Sequence, residues 1–158
     1  MGNYQDIIEI GVFDNETILF EGQFPIPEGI SYNSYVIIDE KIAVIDSVDV
    51  RFADQWLSNL EGALQGKAPN YLVIQHMEPD HSGSIQQFIQ TYPQTKLVGN
   101  TKTFTMLKNY FGSDYSENQL LVKNGDTLPL GSRTLTFVFA PMVHWPEVMM
   151  TYDSASKI

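Results

Sequence analysis

An α/β fold is what this sequence predicts, on three observations. YLVIQ (71–75) is a short, wholly apolar run of the kind that lies in a sheet covered on both faces. Apolar residues recur at helical spacing on either side of it: Phe52, Trp56, Leu57 and Leu60 before, and Ile85, Phe88, Ile89 and Tyr92 after. From Gln119 onward the pattern changes to alternating strands separated by tight turns.

Taken in order, Asp6 to Phe13 reads as a first strand and Ile18 to Phe24 as a second, before Pro25, Pro27 and Gly29 break the pattern. SYVIID (34–39) and KIAVID (41–46) are β-branched runs that form a hairpin ending at Asp46. A helix follows, with Asp49 as its N-cap and Gly62 near its end. The strand at 71–75 stops at His76. Ser82 or Ser84 caps the next helix, which Pro93 closes. Lys96 to Gly99 is another short strand. It leads into a helix capped at Asn100, with Phe104, Leu107 and Phe111 on its inner face and Gly112 as its stop. LLVK, the turn Asn124-Gly125, TLPL, a turn at Gly131-Ser132 and RTLTFVFA then read as an antiparallel series. A last strand spans Val148 to Tyr152, and Asp153-Ser154-Ala155-Ser156 is a hairpin turn. A returning strand is therefore expected beyond Ile158, and the chain is expected to be a piece of a longer protein.

Length and composition narrow the function. At 158 residues the chain suits one domain with a sizeable core, 1–158. A formal net charge of −10, with nine scattered basic residues, argues against nucleic-acid binding. No cysteine is present, so disulfides, thiolate metal sites and iron–sulfur clusters held by this chain are excluded. Any metal must be bound by nitrogen and oxygen. No basic-then-apolar leader, transmembrane run or myristoylation pattern is seen, so no membrane association and a cytoplasmic location are expected.

HMEPDHSG (76–83) carries the chemistry. The chain has three histidines and two of them are here, interleaved with Glu78 and Asp80. In an extended loop His76, Glu78 and Asp80 point to one side, Pro79 keeps Glu78 out of helical geometry, and a turn at His81 brings its imidazole round. Two imidazoles and two carboxylates are more than one ion takes from one loop, which suggests a pair of metals. His144, at the end of a distant strand, is a further candidate ligand. A donor set with two carboxylates and no thiolate moves preference toward iron or manganese, with zinc still possible. The plain alternative is that each of these residues merely caps or solvates a loop.

HMEPDH resembles the H-x-E-x-D-H signature of flavodiiron proteins, dioxygen and nitric oxide reductases built on a metallo-β-lactamase-like fold, and His144 in VHWPE falls where their next ligand is expected. The resemblance runs through NSYVIIDEKIAVIDSV and APMVHWPE as well. It implies an αββα sandwich, and it assigns His76, Glu78 and His144 to one iron and Asp80 and His81 to the other. It also implies FMN in the intact protein, an electron donor such as rubredoxin or a flavin reductase, and a head-to-tail homodimer. Under it, dioxygen is reduced to water or nitric oxide to nitrous oxide. A bridging Asp, a last His and the FMN-carrying flavodoxin-like domain are not found in these residues, so this portion alone is expected to be inactive. Hydrolysis by a zinc pair is the rival activity, against which Glu78 counts because it replaces the usual imidazole. A non-enzymatic structural module is the third reading. Trp145 reads as packing beside the ligands, Asp46 and Ser47 as caps or, alternatively, as support for a ligand, and Met142, Met149 and Met150 as core filler.

Overall fold

The computed structural model describes residues 6–113 and 115–158. Residues 1–5, the start of the segment in which no leader was found, lie outside them. Thirteen short strands and four α-helices follow in chain order: β1 (Ile7–Glu9), β2 (Val12–Asp14), β3 (Leu19–Phe20), β4 (Phe24–Pro25), β5 (Ile30–Tyr32), β6 (Tyr35–Ile37), β7 (Ala43–Ile45), a 3₁₀ turn (Val50–Phe52), α1 (Ala53–Leu64), β8 (Tyr71–Val73), α2 (Pro79–Ser82), α3 (Ile85–Thr91), β9 (Lys96–Gly99), α4 (Thr101–Phe111), β10 (Gln119–Leu121), β11 (Thr127–Pro129), β12 (Thr134–Phe139) and β13 (Met149–Asp153).

The strands sort by their apolar pattern. In β6 to β9 both faces are apolar, and successive residues point oppositely. Val36, Val44, Leu72 and Leu97 pack on Trp56, Leu60 and Leu64 of α1, Phe88 of α3, and Phe104 and Leu107 of α4. Ile37, Ile45, Val73 and Val98 face the other way, onto Leu128, Leu135, Phe137 and Met149. The result is three layers: helices, a six-stranded mixed sheet ordered β1-β6-β7-β8-β9-β10, and a three-stranded antiparallel sheet β11-β12-β13. Among the described residues no helix covers the outer face of the second sheet, where Val138, Met150 and Tyr152 are exposed. Nor is any helix long and apolar enough to cross a membrane.

Several expectations are corrected. The first strand splits at Ile10-Gly11: β1 pairs with β6, whereas β2 turns away to pair with β5. A Cβ at Gly11 would lie 2.5 Å from the Tyr32 carbonyl oxygen, so only glycine fits the crossing. Ile18–Phe24 is a small hairpin, β3 with β4, and not one strand. LLVK does not begin the antiparallel series, because β10 runs parallel to β9. Gly62 does lie near the end of α1, and Gln65, which follows its last residue, takes the left-handed conformation. Met149 is buried as expected, but Met142 and Met150 are exposed. Asn100 and Gly112 do bound α4, Asn100 within a capping box.

Two buried polar networks fasten the layers. Trp56 is fully buried, and its indole N–H donates to Ser34 Oγ at 2.9 Å; that hydroxyl donates to the Asp46 carbonyl, also at 2.9 Å. Asp14, likewise fully buried, accepts from Glu16 N, Thr17 N, Thr17 Oγ1 and Tyr32 Oη at 2.6–2.9 Å, with Arg51 Nη2 at 3.3 Å. Burial pushes its carboxyl upward, but the bonds from Thr17, Glu16 and Tyr32 outweigh that and hold it down at about 2.

Ser34→Ala leaves the indole N–H buried and unpaired, and is expected to cost about 1–3 kcal/mol in urea unfolding. Combining it with Trp56→Phe should cost less than the sum of the two single changes, since both remove one interaction. For Asp14 the folded-state pKa lies below the unfolded one, so its contribution is present above about pH 4 and is lost as pH falls through about 2. Asp14→Asn should therefore flatten the fall in melting temperature over that window.

Candidate metal centre

The centre begins where β8 leaves the sheet. Its path continues through Ile74, whose N–H donates to Val98 O at 2.9 Å, and Gln75 turns the chain toward the second sheet. Gln75 is clamped from both sides: Asp46 Oδ1 accepts its N–H at 2.7 Å, Met149 N donates to its carbonyl at 3.0 Å, and Thr151 N to its side-chain oxygen at 2.7 Å. Glu78 is extended, with φ −60 and ψ 142, and Pro79 occupies the first position of α2, where its missing N–H costs nothing. Gly83 closes the turn against the 3₁₀ segment; a Cβ there would lie 2.6 Å from Pro79 O and 2.7 Å from Val50 N.

Three of the five expected ligands converge. His76 Nε2 lies 2.9 Å from Glu78 Oε2 and 3.2 Å from His144 Nε2, and His144 Nε2 lies 3.2 Å from Glu78 Oε2. His76 and Glu78 are nearly buried, whereas the His144 side chain is 66% exposed. Asp80 and His81 stand apart from this triangle. They belong to the helical turn α2 and not to an extended loop, so Asp80 Oδ2 meets His81 Nε2 at 3.5 Å instead of joining His76 and Glu78. They are still close, for the His81 and His76 rings are 5.7 Å apart.

A residue given no role from sequence organises the triangle. The Glu147 side chain is fully buried, and its Oε1 accepts from His76 Nδ1 and from Met77 N, both at 2.8 Å. A carboxylate only accepts, so Glu147 takes a hydrogen bond from Nδ1–H of His76, and in the neutral ring that tautomer leaves Nε2 to act as an electron-pair donor between Glu78 and His144. Asn100 Nδ2 donates to the Glu147 carbonyl at 2.6 Å, tying that residue to the cap of α4. Trp145 packs edge-on to His76, with centroids 5.2 Å apart. Asp46 and Ser47 cap no helix: Asp46 holds Gln75, and Ser47 Oγ donates to His81 O at 2.9 Å. Nor does Ser84 cap α3, since its hydroxyl donates to Val48 O.

Electrostatics favour a cation here. Burial pushes the Glu78 carboxyl up, but contacts with His76 and Glu21 and the imidazole charges outweigh it and hold the group below the usual range. Burial pushes Asp80 up, with the Glu78 charge adding and the His81 charge opposing. Asp46 is also raised, by burial, against the opposing His81 charge and the bonds from Gln75. Asp80 Oδ1, His81 Nδ1 and Glu147 Oε2 are buried with no hydrogen-bond partner. Adjacent ligands on one ion with bonds of about 2.1 Å are separated by about 3 Å, which matches the 2.9–3.2 Å sides of the triangle. The donor set therefore fits a divalent metal of the iron, manganese or zinc kind.

Glu147→Gln is expected to weaken metal binding about tenfold, and Glu147→Ala closer to a hundredfold, in competition against a chelator. The ¹⁵N shifts of His76 in the metal-free chain should show the proton on Nδ1, and should lose that preference in the alanine variant.

The comparisons agree with the fold and the motif. A family model described as ODP family beta lactamase matches residues 30–158. The chain is 36% identical over 155 residues to Diflavin flavoprotein A 1 of Synechocystis sp., covering 98% of this chain and 27% of that protein. It is 38% identical over 152 residues to the anaerobic nitric oxide reductase flavorubredoxin of Aliivibrio fischeri, covering 94% and 30%. Among solved structures, the flavodiiron protein from Giardia intestinalis matches with a TM-score of 0.88 at 34% identity, over 94% of this chain and 36% of that one. Rubredoxin oxygen:oxidoreductase from Desulfovibrio gigas matches with a TM-score of 0.87 at 31% identity, over 94% and 37%. The chain thus spans less than a third of these two curated relatives. Its metallo-β-lactamase-like layers and its matched sequence lead to one assignment: the chain belongs to the ODP family of β-lactamase-like domains, as the counterpart of the N-terminal part of flavodiiron proteins.

Proposed function

We propose that His76, Glu78 and His144 hold one redox-active metal ion, that Asp80 and His81 face a second, and that both ions are iron. In the whole protein this centre would reduce dioxygen to water or nitric oxide to nitrous oxide, with electrons passed through FMN bound outside residues 1–158. The observation that carries the reading is the triangle of His76 Nε2, Glu78 Oε2 and His144 Nε2, three metal-ligating atoms within 2.9–3.2 Å of one another. Relatives named nitric oxide reductase, from Moorella thermoacetica, and rubredoxin oxygen:oxidoreductase support the choice of chemistry. A rubredoxin or flavin reductase as electron donor and a head-to-tail homodimer belong to the same proposal.

When bound, the metal supplies electrons and a site for a small gas. The chain supplies position. Glu147 fixes the His76 ring so that Nε2 is aimed before any ion arrives, which removes a rotamer cost from binding. Trp145 stands edge-on to the same ring and limits the directions in which it can turn. Glu78 brings a negative charge that two imidazoles lack and favours the higher oxidation state of iron. Leu19, Phe20, Tyr32 and Pro79 line a cavity of about 330 Å³ that opens beside Glu78 and Asp80. Glu21, Asp49, Arg51, Glu78 and Asp80 also line it, so half of its lining residues are charged. Asp80 and His81, both with an unpaired buried atom, are poised toward the second ion.

Anaerobic titration with ferrous iron tests this. At least one ion per chain should be retained, and His76→Ala, Glu78→Ala and His144→Ala should each weaken binding a hundredfold or more. Asp80→Ala should spare the first ion and remove any second. Retention of zinc in preference to iron, with turnover of model esters, would replace the proposal with a hydrolase; absence of stoichiometric metal of either kind would sink both.

A further inference from the structure

One edge of the six-stranded sheet is formed by β10, which pairs with β9 alone. Asn118 O accepts from Leu97 N at 2.9 Å and Val122 N donates to Gly99 O at 3.0 Å, so the main chain at these even positions turns inward to β9. By alternation the N–H and C=O of Leu121 turn outward. The Leu121 side chain is 54% exposed, and it lies where two hollows meet. One, of about 390 Å³, runs past Phe139, Pro141 and Pro146 to the start of α4. The other, of about 280 Å³, follows α4 past Phe104 to Lys108. They share Thr101 and Leu121, and so form one groove beside the sheet edge.

The charges of this groove have one sign. Lys102, Lys108 and Lys123 line it and no aspartate or glutamate does, although the chain has 19 acidic residues against nine basic ones. Among the described residues none of these lysines meets a carboxylate at ion-pair distance, whereas Arg51 and Arg133 are each paired with two aspartates.

We propose that the groove is a docking site for an acidic, extended segment of a partner protein, which lies along β10 and pairs with the main chain of Leu121. Each feature specifies a different property of that occupant. An outward N–H and C=O suit a strand added to the sheet. The apolar lining takes side chains from alternate positions of such a strand. Lysines without partners attract its carboxylates. A nucleic acid satisfies only the last of these. The inference does not depend on a metal, but Pro141 and Pro146 bracket the residues that include His144, so the partner sits against that loop.

Fluorescence anisotropy of a labelled synthetic peptide that alternates glutamate with leucine, titrated with the full chain, tests this. Binding should saturate and weaken with salt, and Lys102→Glu and Lys123→Glu should each reduce affinity about tenfold or more. The three lysines are exposed, so the melting temperatures of these variants should equal that of the parent. A peptide methylated on its main-chain nitrogens should bind about tenfold more weakly, because it cannot complete the strand pairing. Equal affinity for the methylated peptide would overturn the proposal, as would equal affinity for polyglutamate or oligothymidylate, which carry charge alone. Absence of binding would overturn it too. Self-association of the chain without peptide, abolished by Lys123→Glu, would assign the groove to a second copy instead.

Discussion

The hydrogen bond from His76 Nδ1 to Glu147 is the contact on which the geometry of the centre depends. His76 leaves the first sheet after β8, and Glu147 comes immediately before β13 in the second. A single 2.8 Å bond therefore does two things at once: it sets the tautomer of the imidazole, and it fixes the separation of two sheets at the point where their strands end. Met77 N donates to the same oxygen, so the carboxylate is held by two donors, and through its main-chain carbonyl it is held by Asn100 as well. A carboxylate with no exposed surface is unfavourable without such partners. Its remaining oxygen, Oε2, has none, so a positive charge arriving at His76 would stabilise Glu147 as well as being stabilised by it. On the proposed reading, folding and metal binding would be linked through that one residue.

The sandwich exists to bring such strand ends together. Val73 and Val98 face the second sheet, and Phe137 and Met149 face back, so the interlayer core is apolar up to the residue before the centre. Polar clamps take over there. Asp46 accepts from Gln75, while Gln75 in turn receives N–H groups from Met149 and Thr151 of β13. These bonds substitute for strand pairing across a gap that no ladder spans. Gln75 is the hinge pin of the two sheets, and His76 is the first residue beyond it.

The sequence foretold the hairpin of β6 and β7, the strands β8 and β9, the cap of α4 and the convergence of His76 and Glu78, because each is written in local chemistry: β-branched runs, Asn100 before a helix, and His and Glu two residues apart after a strand. What it did not foretell depends on pairing at a distance. β10 has the composition of a hairpin arm, yet Leu120 pairs with Val98 across a parallel ladder, since α4 returns the chain to that edge. Asp80 was expected beside Glu78, but Pro79 starts a helical turn as readily as it preserves an extended residue before it, and the turn rotates Asp80 away. Glu147 lay inside the quoted APMVHWPE segment but carried no signal of its role. An acid three residues after a histidine reads as solvated until the fold buries it.

The three converging atoms differ in how firmly each is held, and that difference orders their behaviour. His76 is fixed by Glu147 and packed by Trp145, and Glu78 is fixed by the rigid step at Pro79. These two are prepared before a metal arrives. His144 stands in a loop between β12 and β13 with most of its side chain in solvent. Among the described contacts of its ring, the neighbours are His76, Glu78 and Trp145, so the ion itself is what would hold it in place. If these three residues hold a metal as proposed, two preset side chains and one adaptable one would admit it from the exposed side without unfolding, because only His144 has to move. Moving His144 aside would cost the contacts of one exposed side chain, whereas releasing His76 would require breaking its bond to Glu147, which joins the sheets. Exchange of the metal is therefore expected to proceed through His144, on a timescale set by loop motion and not by unfolding of the sandwich.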